Sequence, residues 1–382
     1  MRLAILIYQY FPYGGQQRDF LKIAKQAVAN GHDVTVYCMR WDGVLPEGIA
    51  VQHVPVSAKT RHLLYQRYTE WVQDRIAEEA YDLVLGFNKM PGLDMYFAAD
   101  PCFAAKLERD KRPLIKYLPR YRHFLAYEQA VFRTGADTRV MLLSPQQLEE
   151  FCQYYPGSKE RLHVVPPGLS SNRFPGDDRS ARRKRFRDAQ NLNSHDIAIV
   201  QVGSGFRIKG VDRSIRSVAA LPDDLRNRCK LYIVGQGKSG SYRRLARRLG
   251  VSQQVLFLGG RDDIPDILSG CDYMLHPAIQ ESAGYSILEG IVNGLPVLTT
   301  DTCGYAYHVE HSGAGVVSPS PFSQQSLNDA LRDMLQSDER LKWQENGLAY
   351  GKAANLRGMA DYVVTMLEQE YAQRQSGQEA EV

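Results

Sequence analysis

Glu281 and Glu289 stand eight residues apart in HPAIQESAGYSILEGIVNGLPVLTTD, residues 276–301. The stretch between them, Ser-Ala-Gly-Tyr-Ser-Ile-Leu, carries no charge. Two carboxylates can act as acid and base, or they can accept hydrogen bonds from hydroxyls. Residues 273–278 predict a strand. Residues 284–292 predict a helix that Asn293-Gly294 stops ahead of Pro296. Glu281 then falls in the loop before the helix, and Glu289 about a turn and a half inside it. The first amides of a helix have no intrahelical partner. Ser282, Ala283 and Gly284 are small enough for a ligand to approach those amides. This makes a seat for an anion with a carboxylate on each side. A sugar nucleotide, with phosphates between hydroxylated rings, has that shape. The plainer alternative is a Glu281 that caps the helix and a Glu289 on the surface.

Two further stretches put glycine or cations at strand ends. Gly14-Gly15 follows the first apolar run and precedes a helix expected from about Arg18 to Asn30, stopped by Gly31. Ligands of open α/β sheets bind at such ends, but a tight turn accounts for the pair equally well. GSGFRIKG, residues 203–210, sets Arg207 and Lys209 ahead of an amphipathic VDRSIRSVAAL. Cations there suit a pyrophosphate, with two solvent-facing side chains as the alternative. Neither stretch is a GxGxxG or a GxxxxGK[ST], which argues against a nicotinamide oxidoreductase and a P-loop enzyme. Arg261, in GGRDD, is either a surface residue or a contact for a nucleotide base.

The elements that must carry these residues alternate strand and helix. Apolar runs at 2–8, 32–39, 81–88, 140–144 and 162–168 predict one parallel, doubly wound sheet. The pattern then restarts with runs at 197–205, 230–237, 254–260, 273–278, 296–301 and 313–318. Two Rossmann-like α/β domains are expected, over 1–167 and 168–356, joined near Pro166-Pro167-Gly168. SARRKRFRDA reads as a solvated basic helix entering the second. A last helix, about 357–374, is expected to pack back on the first domain, with a frayed tail after Gln373.

The chain has 382 residues, 44% hydrophobic and 24% charged, which suits a globular protein with room for two cores. A net charge of +4 does not mark a nucleic-acid binder. Six cysteines form no CxxC pair, which speaks against zinc and against a disulfide framework and suits a reducing cytoplasm. The apolar run Leu3–Tyr8 is too short for a signal peptide and reads as a buried strand. No run approaches the ~18 apolar residues of a membrane span. One segment suits the membrane surface instead: KLERDKRPLIKYLPRYR, from Lys106 to Arg122. Its apolar positions fall at helical spacing, with Pro119 as a kink. A basic face with aromatic anchors lies well on an anionic bilayer. The expected contacts are Lys111, Arg112, Lys116, Tyr117, Arg120, Tyr121 and Arg122. A solvated basic helix packed on its own domain is the alternative.

The paired glutamates with NGLPVLTT behind them, VGSGFRIKGVDRSI and IVGQG…VLFLGG resemble the retaining glycosyltransferases of family 4. YQYFPYGGQQRDF, GFNKMPGLDMYFAAD, RYRHF…YE, PPG and TDTCGYA narrow the resemblance to the lipopolysaccharide core glucosyltransferases. The resemblance implies a GT-B fold, two Rossmann-like domains facing across a cleft. It implies UDP-glucose as donor and a lipid-A-linked inner-core heptose as acceptor. No cofactor and no nucleic acid are implied. The implied place is the cytoplasmic face of the inner membrane of a Gram-negative bacterium. Glu281 would contact the donor hexose and Glu289 the ribose. Lys209, helped by Arg207, would hold the diphosphate. Gly15 would admit the donor with Asp19 nearby, and Arg173 and Arg261 would serve the uridine end. Many family members carry an arginine directly after the glycine that opens the lysine loop; here Ser204 follows Gly203. A family 4 enzyme with another sugar nucleotide or glycolipid acceptor is the alternative.

Asp100, Lys209 and Glu281 are the candidate catalytic groups. No DxD-like pair sits at a strand end, so no metal is expected. Cations and a helix N-terminus can stabilise a leaving diphosphate instead. No carboxylate stands out as the nucleophile that retaining glycosidases use. Same-face attack fits better, with the leaving phosphate oxygen taking the acceptor proton. Asp100, on the acceptor side, is the alternative base or orienting group.

Overall fold

The computed structural model describes residues 1–12, 14–109 and 114–380, the last four of these in backbone only. The chain divides into two compact units, Met1–Gly168 with Arg357–Val382, and Leu169–Leu356.

The first unit holds β1 Arg2–Leu6, β2 Gln9–Tyr10, β3 Asp33–Cys38, β4 Arg40–Trp41, β5 Ile49–His53, β6 Leu83–Gly86, β7 Met95–Ala98, β8 Arg139–Leu142 and β9 Leu162–Val164. Seven of them form a parallel sheet in the order β5-β3-β1-β6-β7-β8-β9; β2 and β4 pair separately. The near-continuous apolar runs of these strands reflect burial on both faces. The helix Gly15–Ala29 starts three residues earlier than its sequence suggests, because extended Gly14 takes the N-cap position. It buries Phe20, Ile23, Ala24 and Ala27, one stripe at helical spacing. The C-terminal helix Met359–Ala380 buries Val363, Val364 and Leu367. Its Glu368 meets Asn30 and His32, and its Arg374 meets Asp94 at 2.6 Å. It runs on beyond Gln373, where the sequence suggests fraying.

The second unit holds β10 Ile197–Val202, β11 Cys229–Val234, β12 Val255–Gly259, β13 Tyr273–His276, β14 Val297–Thr300 and β15 Gly315–Ser318. Their order is β12-β11-β10-β13-β14-β15, all parallel. Apolar clusters lie on both faces of this sheet. The helix Arg179–Ala189 is not simply solvated. It buries Phe186, and its Arg183 and Arg187 converge with Arg340 on the buried Asp272, at 2.8, 3.1 and 2.7 Å. A buried carboxylate needs such partners, so part of this basic helix is a counter-ion set for the unit's own interior.

Candidate active site

In the second unit the strand order reverses between β10 and β13, neighbours through Ile199↔Tyr273 and Val200↔Met274. Ligands of doubly wound sheets bind beyond the carboxyl ends of strands at such a reversal. β10 leads into the loop with Arg207 and Lys209, and β13 ends on His276. The two loops are fixed to each other. Gln201 donates to the Lys209 carbonyl at 2.6 Å, and the Ile279 amide donates to the Ile208 carbonyl at 2.7 Å. Gly210 has φ +66°, and a Cβ there would lie 2.0 Å from the Pro277 carbonyl oxygen. Only glycine allows that approach.

Glu281 is the meeting point. Lys209 Nζ binds its Oε1, and His276 Nε2 lies 2.5 Å from its Oε2. Burial would raise the Glu281 carboxyl, but His276 and Lys209 outweigh it and bring the group down to about 2. Burial would lower the His276 imidazolium, but Glu281 and Cys303 outweigh it and lift the group to about 9. The TDTCGYA loop holds the Glu281 backbone. The Glu281 amide donates to the Thr302 carbonyl at 3.1 Å, and the Gly304 amide to the Glu281 carbonyl at 2.9 Å.

The following helix spans Tyr285–Val292, with Gly284 as N-cap at φ +123° and no side-chain cap. Glu281 therefore serves two cations, not the helix end. Glu289 is 5% exposed and pairs with Arg173 Nε at 3.4 Å. The plainer reading of the two glutamates fails at both. Asn293 Nδ2 fastens the arrangement by donating to the Arg173 and Glu289 carbonyls at 2.7 and 2.8 Å. Ala283 and Gly284 are buried at the start of this helix.

The structure thus gathers Lys209 and Glu281 in one ion cluster and pairs Arg173 with Glu289. It does not bring Arg207 or Arg261 into these pairs. Arg207 is exposed. Arg261 spends its guanidinium on Asp263, at 2.7 and 2.5 Å. Sequence reasoning missed His276 and Asn293. The signal for His276 was a histidine at the last position of a predicted strand, just before Pro277. Among the described residues, His276, Glu281 and Cys303 hold ligand atoms within 4.8 Å of one another. Two cations already share Glu281, so a metal ion would meet a site whose negative charge is taken.

In the first unit the reversal falls between β1 and β6. Gly15 is the first helical residue beyond β1, and a Cβ built on it meets nothing within 4 Å. Gln16 reaches from the same turn to the Phe87 carbonyl beyond β6. Asp19 is buried on the same helix. Asp100 follows β7 and is exposed, yet the dense protein around it pushes its carboxyl above the usual range, with Glu128 adding to the shift and Lys89 and Lys106 opposing it. Beneath its loop lies Glu128, 0% exposed, which accepts from Lys89 at 2.5 Å and from the Phe103 and Ala104 amides at 2.6 and 2.8 Å. That carboxylate anchors the start of the helix Phe103–Arg109.

The basic aromatic segment is not one kinked helix. A helix over Phe103–Arg109, a 3-10 turn over Ile115–Tyr117 and a helix over Pro119–Phe132 share it. Pro119 opens the last of these, since its fixed φ suits a first turn. Leu114, Tyr117 and Leu118 are 74%, 65% and 52% exposed, with Lys116, Arg120 and Arg122 exposed around them and Tyr121 half-buried. Lys111 and Arg112 lie outside the described residues. No helix among the described residues is long and apolar enough to cross a membrane.

Comparison with known proteins agrees with this architecture. The family description "Glycosyltransferase Family 4" matches residues 13–173, and "Glycosyl transferases group 1" matches residues 182–349. The lipopolysaccharide glucosyltransferase WaaG of Escherichia coli K12 is 42% identical over 94% of this chain and 97% of its own length. A crystal structure of WaaG, a glycosyltransferase involved in lipopolysaccharide biosynthesis, superposes with a TM-score of 0.89 at 40% identity, covering 95% of this chain and 99% of that one. Anabaena Alr3699/HepE in complex with UDP-glucose shares the fold, at TM-score 0.70 and 18% identity over 99% of this chain and 100% of that one. With two parallel-sheet α/β units and the Lys209–Glu281 pair at the strand reversal of the second, the chain belongs to the WaaG family of GT-B glycosyltransferases.

Proposed function

We propose that this protein transfers glucose from UDP-glucose to an inner-core heptose of lipopolysaccharide, with retention of configuration and without a metal. The observation that carries this reading is Lys209 on Glu281 just ahead of the helix Tyr285–Val292, whose N-cap Gly284 brings no side chain. Glu281 and Glu289 would accept hydrogen bonds from the hexose and the ribose. Lys209 and the helix amides would take the diphosphate, where negative charge grows as the anomeric C–O bond breaks. That electron pair goes to the phosphate oxygen, and the heptose hydroxyl bonds to the anomeric carbon on the same face. Its proton passes to the leaving phosphate. A cationic side chain and helix amides replace a metal in this scheme.

The exposed Leu114, Tyr117 and Leu118 with the basic residues around them suit peripheral binding to an anionic membrane surface. The acceptor would meet the enzyme there, on the cytoplasmic face of the inner membrane.

The test is incubation with UDP-glucose, a panel of other nucleotide sugars and a deep-truncated core acceptor, followed by mass and linkage analysis. Glucose in α-linkage to a heptose is the expected product. Preference for another sugar nucleotide would refute the donor assignment. Asp100→Asn separates the two proton routes: a modest loss of turnover fits transfer to phosphate, and near-complete loss would make Asp100 the base.

A further inference from the structure

Glu281 is held by two cations that differ in freedom. His276 is 0% exposed and anchored at both ends of its ring, with Nε2 2.5 Å from Glu281 and Nδ1 3.2 Å from Ser286 Oγ. Its carbonyl accepts from Thr299 Oγ1 at 2.9 Å. Lys209 instead reaches Glu281 along a flexible stem, and its side chain is 17% exposed. We propose that His276 is a positioning residue: it serves as the permanent counter-ion of Glu281 and thereby releases Lys209 to the diphosphate of the donor. The inference rests on the reading of Lys209 as the diphosphate cation.

Charge counting carries the argument. With a charged imidazolium the cluster holds two cations and one carboxylate. Lys209 is then the surplus cation, and an arriving diphosphate can draw it away without leaving Glu281 unpaired. With a neutral imidazole, Lys209 would be the sole counter-ion of a largely buried carboxylate, and leaving it would be costly. The titratable groups that meet His276 are Glu281, the Cys303 thiol and, through Glu281, Lys209. Their sum favours the imidazolium despite its burial. Few other partners could do this without competing for phosphate. A second lysine would itself be mobile, whereas a buried ring is not.

The test uses the full chain with UDP as probe, by isothermal titration at neutral pH. Lys209→Ala examines the diphosphate reading first. Unchanged UDP affinity there defeats that reading and the proposal with it. Given a loss, His276→Gln should weaken UDP roughly tenfold. The double variant should then bind no more weakly than Lys209→Ala alone, because His276 acts through Lys209. Unchanged affinity in His276→Gln, or additive losses in the double variant, overturns the proposal and leaves the diphosphate reading standing. A measurement on the wild type covers misfolding of the buried variant. The His276 ring-nitrogen NMR shifts should show both nitrogens protonated at neutral pH; a neutral ring overturns the proposal without any substitution.

Discussion

The two units use buried charge in opposite ways. In the second, the buried ions make up the candidate site: His276, Glu281 and Lys209 form one cluster, and Glu289 pairs with Arg173. In the first, the buried pair Lys89–Glu128 lies under the loop of Asp100 and holds up a helix start, while Gly15, Asp100 and the segment around Tyr117 are exposed. A cradle of fixed ions with one cation to spare suits an anionic ligand that is always the same. An open face on a firm base suits a large acceptor presented by a surface. The contrast predicts that substitutions in the second unit strike donor chemistry, and those in the first strike stability or surface binding.

The largest effect is expected at Lys209. Lys209→Ala should lower the initial rate of transfer roughly 100- to 1,000-fold, the usual loss when one charge-stabilising donor is removed. A near-normal rate would refute its role at the diphosphate. Next comes Glu128→Gln, which leaves Lys89 buried against a neutral partner. It should cost about 3–5 kcal/mol in denaturant unfolding of the first unit. UDP affinity should stay unchanged, and a parallel loss of UDP binding would break the contrast between the units.

All six strands of the second sheet, five of the seven in the first and the paired glutamates were legible in the sequence, because apolar runs and small residues report local geometry; β5 and β7 were not expected. His276 was not, because nothing local says that a strand-terminal histidine will meet a glutamate five residues on. That pairing needs the TDTCGYA loop, some twenty residues later, to hold Glu281 in place. Arg173 and Glu289 had each been marked for the donor, but their pairing depends on chain more than a hundred residues apart. The Lys106–Arg122 segment misled for the opposite reason: its helical spacing was real, but Pro119 can open a helix as well as kink one. Arg261 stood at the right strand end, and the nearby Asp263 took its guanidinium.

Smaller effects follow. Gly284 sits at φ +123°, so Gly284→Ala should cost about 1–3 kcal/mol of stability from backbone strain. A Cβ there would stand at ordinary contact distance, 3.6 Å, from Glu281 Oε2, so the loss should come with weaker UDP binding only if the helix start shifts. The ion cluster also gives the second unit a pH signature. Glu281, lowered to about 2, stabilises fully above its ordinary value and loses this as pH falls toward 2. His276, raised to about 9, stabilises fully below its ordinary 6.5 and loses this as pH rises through 9. Thermal melts should therefore show a decline from 6.5 to 9 that His276→Gln abolishes. A slope that persists in the variant would assign it to another group.

The smallest effect on catalysis, and the sharpest on location, belongs to the exposed segment of the first unit. Lys116 stands beside Tyr117 and Leu118, all exposed, on a 3-10 turn and helix start that the buried Ile115 pins down. Lys116→Ala should weaken binding to anionic vesicles by about 1 kcal/mol, roughly fivefold. Tyr117→Ser removes an amphipathic anchor and should weaken it further. Neither should change turnover on a water-soluble truncated acceptor, since neither residue touches the ion cluster proposed to hold the donor. Equal binding to anionic and neutral vesicles by the wild type would remove the membrane role altogether. Loss of soluble-acceptor turnover in either variant would place the segment inside the acceptor site, and the first unit would then resemble the second in binding substrate through fixed side chains.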